Sequence, residues 1–327
     1  QGAYGLAAAR LRALRGRVAP DADLELFLAL DDARSGRADS AWARLHGPVL
    51  AAALADTAGV ARRVDYPFQH EAWLLNGRFD GWCWYVARAR AELALDRRAW
   101  REAMAMAGRC VQARPLSGDD LLLLAVAAGR AGDDSLAEAA AGSAVYLAPA
   151  LPEARYLYGL WAWRRGRRSA AADQFRAAVA LDSAYRAPAL ALTRLLLPGL
   201  RPDSLPGSFL TGPRACAMLT SPERPKLEEF VQFDTQPVVV TNASTPPADS
   251  LRRAMHLVRP LQLYVQVLVS EGGRPLLAEL PYASEAVLPP AVAQHVLAEI
   301  ATWRFVAPTR FGRPQRAWAT VEYDIQP

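Results

Sequence analysis

The chain has little of what most catalytic and metal-binding proteins depend on. Among its 327 residues there are 3 cysteines and 4 histidines, and Lys226 is the only lysine. Three cysteines without a Cys-x-x-Cys pair exclude a recognisable zinc knuckle or disulfide framework. His46, His70, His256 and His295 are scattered, and His70-Glu71 lacks the second histidine one helical turn on that zinc hydrolysis needs. There is no phosphate-binding glycine loop and no dinucleotide fingerprint, and Gly207-Ser208-Phe209 is not a nucleophile elbow. Long apolar runs are missing too. The longest, Leu121 to Ala128 and Val49 to Ala55, fall well short of the ~20 residues that cross a bilayer as a helix. These absences predict a non-enzymatic protein with no catalytic residues, no cofactor and no metal.

What is present is a globular composition, 52% hydrophobic and 22% charged, on a chain long enough for two or three domains. Basic residues number 38 against 33 acidic, a net charge of +5 that is too small to argue for nucleic acid. Such a charge is equally compatible with an anionic surface or an acidic partner. Gln1 at the first position fits either a trimmed chain or a mature exported protein whose signal has been removed.

The strongest pattern is a period. Ala103, Ala137 and Ala171 stand 34 residues apart, as do Pro115, Pro149 and Ser183. A period of that length marks stacked helical hairpins, none of which buries its apolar face without a neighbour. First helices are expected at Tyr85 to Asp96, Asp119 to Arg130 and Glu153 to Arg165, with turns at Asp96-Arg97, Gly132-Asp133 and Gly166. A further helix, Ala187 to Leu197, is expected to cap the stack. Cys83 and Cys110 fall at ends that antiparallel helices bring together, so a disulfide is geometrically possible, although Cys110 takes the place held by Ala144 and Ala178 in later units. Asp119-Asp120 and Asp133-Asp134 sit where carboxylates cap helix starts. The cluster Arg164, Arg165, Arg167 and Arg168 reads as a solvated turn, with an anion grip as the alternative.

These marks resemble the tetratricopeptide repeat family. Gly159, Ala171, Phe175 and Ala178 match its packing positions in the third unit, Ala125, Ala137, Ala144 and Pro149 in the second, and Ala91, Ala103 and Pro115 in the first. The large residue expected early in each first helix is instead Ala87, Leu121 or Arg155. The resemblance implies an inner, partner-binding face to which Tyr85, Arg88, Glu92, Tyr156, Leu160 and Trp163 are assigned.

Upstream, Leu6 to Val18 reads as an amphipathic helix, Asp23 to Ala33 and Ser40 to Leu45 as a hairpin turning at Ser35-Gly36, and Val49 to Arg62 as another helix. A loop with one short helix near Ala72 to Leu75 follows. Downstream of Pro198, six prolines from Pro198 to Pro225 mark a linker. Beyond Phe230 the hydrophobic period becomes two. Leu261, Leu263, Val265, Val267 and Val269 alternate with more polar neighbours, Glu271-Gly272-Gly273-Arg274 turns, Leu276 to Tyr282 returns, Pro289-Pro290 starts a helix, and Ala317 to Ile325 is the last strand.

Val265 to Arg274, then Trp303-Arg304-Phe305 with Pro308, Gly312, Arg313 and Pro314, then Trp318 to Ile325, resemble the C-terminal domain of the TonB family of cell-envelope proteins. Phe233-Asp234-Thr235-Gln236-Pro237 looks like that family's lead-in. The resemblance implies a bacterial, periplasmic or membrane-associated protein that binds partner segments along an exposed strand. Trp318, Thr320, Glu322 and Asp324 of the last strand are then candidate partner-binding residues.

The expected fold is α+β and multidomain, with a helical region over 1–80, repeats and a capping helix over 81–198, a linker over 199–229 and a ββαβ module over 230–327. The expected function is a non-enzymatic envelope scaffold holding protein partners, peripheral to a membrane or lipid-anchored, as a subunit of a larger complex. The alternative is TonB-type energy coupling to an outer-membrane partner, which the helical array in place of that family's anchor and spacer disfavours.

Overall fold

The computed structural model describes residues 9, 13, 22–55, 82–197, 234–235, 239–241, 261–280 and 288–325. Two compact units emerge, Gln1–Ala113 and Arg114–Pro327. Within the second unit, the helices after Arg114 share a buried seam with the C-terminal strands. Among the described residues, no helix is long and apolar enough to cross a membrane.

The first unit holds α1 (Ala22–Arg34), α2 (Ala38–Leu45), α3 (Pro48–Ala55), α4 (Trp82–Asp96) and α5 (Trp100–Ala113). The hairpin of α1 and α2 turns through Gly36 at φ 76°, a left-handed conformation that glycine adopts without steric cost. Leu26, Leu28, Ala41 and Leu45 of the hairpin are buried, as is Leu50 of α3. Asp32 is also buried and accepts hydrogen bonds from Arg44 Nε and Arg37 Nε, both at 2.8 Å. Burial works against its charge, but the bonds from Arg44 and Arg37 outweigh that penalty and hold the carboxyl below its usual range. The expected helix at Leu6 to Val18, apart from residues 9 and 13, the one at Ala72 to Leu75, and the end of the one beginning at Val49 lie outside the described residues. Cys110 is fully buried in α5, as a small core residue would be, whereas the Cys83 side chain is outside those described.

In the second unit, α6 (Gly118–Ala131) pairs with α7 (Asp134–Leu147), and α8 (Pro152–Arg164) with α9 (Arg168–Leu181), before the terminal helix α10 (Arg186–Leu196). The starts of α6, α8 and α10 are 34 residues apart, and so are those of α7 and α9. The period is conformational as well as compositional. Arg98, Gly132 and Gly166, one per unit, all adopt positive φ after a first helix, and each of these turns closes with the same pair of backbone bonds, such as Gly132 N to Gly129 O and Asp133 N to Ala128 O. Small residues are demanded where rings cross: a Cβ on Gly159 would lie 2.6 Å from the Phe175 ring, and one on Gly129 2.1 Å from Trp161.

The C-terminal part carries β1 (Val239–Thr241), β2 (Leu261–Val269), β3 (Pro275–Glu279), α11 (Pro290–Ile300), β4 (Arg304–Phe305), β5 (Thr309–Arg310), β6 (Arg313–Pro314) and β7 (Ala317–Ile325). Strands β3, β2 and β7 form an antiparallel sheet in that order, β2 and β7 pairing continuously from Leu261–Ile325 to Val269–Ala317. Alternation sends Leu263, Val265, Val267, Val269, Ala319, Val321 and Tyr323 to one face, where they meet Val292, Val296 and Ile300 of α11. The β2–β3 turn needs glycine at 273 for two reasons: its φ is 76°, and a Cβ would lie 2.1 Å from the Phe305 carbonyl oxygen.

Candidate partner-binding surfaces

Two surfaces were expected to meet partners, and the structure treats them differently. On the helices, Tyr156 and Leu160 are fully buried and Trp163 is 1% exposed. Tyr156 stacks edge-on against Tyr185 at 5.4 Å and tilts against Phe175 at 6.0 Å, while Trp163 meets Phe175 edge-on at 6.4 Å. These three side chains are core, so as folded they offer no partner a surface. Their large apolar area is better removed from water by the neighbouring helices, and burial accordingly raises the Tyr156 phenol above its ordinary pKa. In α4, Arg88 is also buried and donates to Glu92 at 2.7 Å, an i,i+4 ion pair. The side chain of Tyr85 lies outside those described. The arginine turn is no anion grip: Arg164 donates to Asp134 at 3.0 Å, Arg165 pairs with Glu138 at 3.2 Å, Arg167 also meets Glu138, and Arg168 donates to the Leu195 carbonyl.

The last strand has the expected geometry. Along β7 burial alternates, with Thr320, Glu322 and Asp324 exposed, Trp318 half-buried, and Ala319, Val321, Tyr323 and Ile325 inside. Because the sheet order is β3-β2-β7, β7 has one hydrogen-bonding edge without a strand neighbour among the described residues. This edge is nine residues long and contains no proline and no bulge against β2. Tyr323 anchors it from below, its hydroxyl donating to Glu299 Oε2 at 2.6 Å; burial and that bond both raise the phenol's pKa.

A third feature has no counterpart in any sequence pattern: a buried ionic seam between helices and strands of the second unit. Glu279 at the end of β3 is 1% exposed and caps α6 from about 160 positions away. Its Oε1 accepts from Ser117 Oγ at 2.8 Å and from the Asp119 backbone N–H at 3.1 Å, and its Oε2 from Arg114 at 3.4 Å. Ser117 Oγ in turn accepts the Asp120 N–H at 3.1 Å. A carboxylate there meets orphan donors and the positive end of the helix dipole. Asp119 and Asp120, expected as caps, are instead buried residues whose own backbone donors Ser117 and Glu279 satisfy. Asp133 is a cap as expected, accepting the Leu136 N–H at 2.9 Å. One repeat on, Arg316 before β7 donates to Glu153 Oε1 at 2.6 Å and to Asp182 Oδ2 at 3.3 Å, reaching the start of α8 and the turn before α10. The strand module is therefore fastened to the starts of successive first helices. No metal-holding group of His, Cys, Asp and Glu occurs among the described residues.

The helical part is thus a tetratricopeptide-like array of stacked hairpins, followed by a small β-containing region. Among solved structures, the chain is similar to MamA from MSR-1 (18% identity, TM-score 0.42, 56% of this chain and 88% of that one). It is also similar to MamA from AMB-1 (19%, 0.41, 55% and 90%) and to a thermophilic TPR protein of Thermus thermophilus (17%, 0.33, 60% and 91%). The repeat architecture stands on helix spacing and turn geometry. No protein-family model matches the chain, and no curated protein matches it.

Proposed function

We propose that this chain is a non-enzymatic protein-interaction scaffold of the bacterial envelope, holding a partner segment along β7 while the helical array gives the strand module a fixed base. The observation that carries this reading is the β7 edge: a long, unbulged strand with exposed Thr320, Glu322 and Asp324 and no strand neighbour among the described residues. An added strand gains backbone hydrogen bonds from such an edge and selectivity from the alternate side chains. The TonB-like motifs around Val265 to Arg274 and Trp303 to Pro314 support placing the protein in the envelope. The ionic seam supports a rigid scaffold over two freely jointed arms, because Glu279 and Arg316 tie the module to the helix starts.

The test places a photo-crosslinking residue at Thr320 or Asp324, with Arg176 on the exposed side of α9 as the control, in cells that make the protein. The expected outcome is one defined envelope protein joined through β7 positions and not through Arg176, with the adduct lost when Glu322 and Asp324 are both changed to arginine. Identical adduct patterns from all positions, or recovery in the cytoplasmic fraction, would refute the reading.

A further inference from the structure

The β5–β6 hairpin carries at its tip a residue that its geometry disfavours. The strands pair as Thr309–Pro314 and Arg310–Arg313, leaving Phe311 and Gly312 as a two-residue loop. Their φ angles are 53° and 68°, both left-handed, which defines a type I′ turn. Such turns ordinarily take Asn-Gly or Asp-Gly, because a bulky side chain in that conformation is sterically strained. Core packing does not account for the exchange. Phe311 is 83% exposed, with the Arg310 guanidinium 5.2 Å from its ring, and a Cβ on Gly312 would meet nothing within 4 Å. The loop is nevertheless held firmly at its base. The Asp234 carboxylate accepts the Gly312 N–H at 2.8 Å, the Asp234 N–H donates to the Thr309 carbonyl at 2.8 Å, and the Thr309 N–H donates to the Thr235 carbonyl at 3.2 Å. A strained residue fixed in an anchored turn, with its side chain in solvent, points to a role outside the fold.

The surroundings of Phe311 specify that role. Val239 and Phe305 of the β1–β4 pair pack on the core, so by alternation Val240, Arg304 and Val306 face outward, Val240 at 62% and Val306 at 37% exposure. Residues 307 and 308 join this face to the hairpin, where Arg310 and Arg313 flank Phe311. From Ala301 to Val321 the chain has four arginines and no acidic residue; Arg316 is engaged in the seam, which leaves the other three among these apolar side chains. The Asp234 carboxylate beside them is occupied by the Gly312 N–H. We propose that the hairpin tip is a contact for an anionic lipid surface. Phe311 inserts among the headgroups, Val306 and Val240 lie at the surface, and Arg304, Arg310 and Arg313 meet lipid phosphates. Apolar side chains interleaved with arginine on a convex tip suit a yielding anionic phase, which needs no matching shape. Asn at position 311 would satisfy the turn but could not insert. The inference uses the envelope placement of the scaffold reading and a surface separate from the β7 edge.

The test measures cosedimentation of the full chain with vesicles of phosphatidylcholine alone or with ~30% phosphatidylglycerol. Binding is expected to the anionic vesicles only, to fall as salt rises, and to weaken at least ~10-fold in Phe311→Asn and in Arg310→Gln/Arg313→Gln. Phe311→Trp should bind at least as tightly as the parent, since tryptophan favours the membrane–water interface. Because Asn suits the turn, Phe311→Asn should keep or raise the parent's Tm, and its β7 crosslinks should be unchanged. No binding of the parent to anionic vesicles, or equal binding by parent and Phe311→Asn, would overturn the proposal while leaving the β7 reading intact. A lower Tm in Phe311→Asn would overturn it as well, by showing that Phe311 packs within the chain. So would a photo-crosslinking residue in place of Phe311 that captures one defined protein and no lipid, which assigns the tip to a protein contact.

Discussion

The sheet of the second unit is held from two sides by opposite chemistry. Against α11 it presents an apolar face, Val265, Val267, Val321 and Tyr323 among others, in which no pairing is specified atom by atom. Against the helix starts it presents charge: Glu279 to Ser117, the Asp119 N–H and Arg114, and Arg316 to Glu153 and Asp182. Burying apolar area is favourable wherever the shapes fit, whereas a buried carboxylate is tolerated only where its donors are in place. The apolar side makes the module stable, and the ionic side determines where on the array it sits.

The largest expected effect breaks the ionic side. Glu279→Ala leaves Arg114 buried without this carboxylate and the α6 start without its remote cap, and should cost about 3–5 kcal/mol in urea unfolding of the full chain. Arg316→Ala, which strips the same support from Glu153 and Asp182, belongs in the same range. The cost comes from the orphaned charge, so Arg316→Leu combined with Glu153→Leu should recover most of the stability that Arg316→Ala loses. A double variant as unstable as the single would show that the pairing is not what matters. On the apolar side, Ile300→Ala should cost about 2–5 kcal/mol by opening a cavity against the sheet, with the Ser117–Glu279 contacts intact. Ser117→Ala is milder, about 1 kcal/mol, because one cap oxygen is lost while Glu279 still accepts the Asp119 N–H.

The smallest effect concerns the more open ionic cluster of the first unit. The Asp32 carboxyl is depressed in the folded state by Arg44 and Arg37, so its contribution is present above the ordinary carboxylate value of 3.8 and is lost as pH falls through the lowered one. Acid titration of the Gln1–Ala113 unit's tryptophan signal should show this loss, and Asp32→Asn should remove that part of the pH dependence. An unchanged acid profile in Asp32→Asn would show that the cluster contributes nothing beyond its apolar neighbours.

Much of the architecture was legible in the residues. The strand Ala317 to Ile325 has its expected limits, the hairpin turn falls at Gly273, and the first helices begin within a few residues of their expected starts. Each of these signals is local, written by periodicity and by the conformations that glycine permits. The stripe of Tyr156, Leu160 and Trp163 was misplaced for a related reason: its spacing defines a helical face, but spacing is silent on whether another helix covers that face. In the third repeat Phe175 covers it.

The sequence by itself thus determined the repeat length, the turn positions and the side of β7 that points outward, because all of these follow from patterns within one element or one repeat. Only the tertiary structure decided which faces are core and which are surface, and that Glu279 caps α6 and Arg316 joins Glu153 to Asp182. Those partners lie 134 to 163 positions apart and share no spacing rule. Their pairing exists because burial removes water, and in its absence each charge must find the one counterpart that the fold brings within reach.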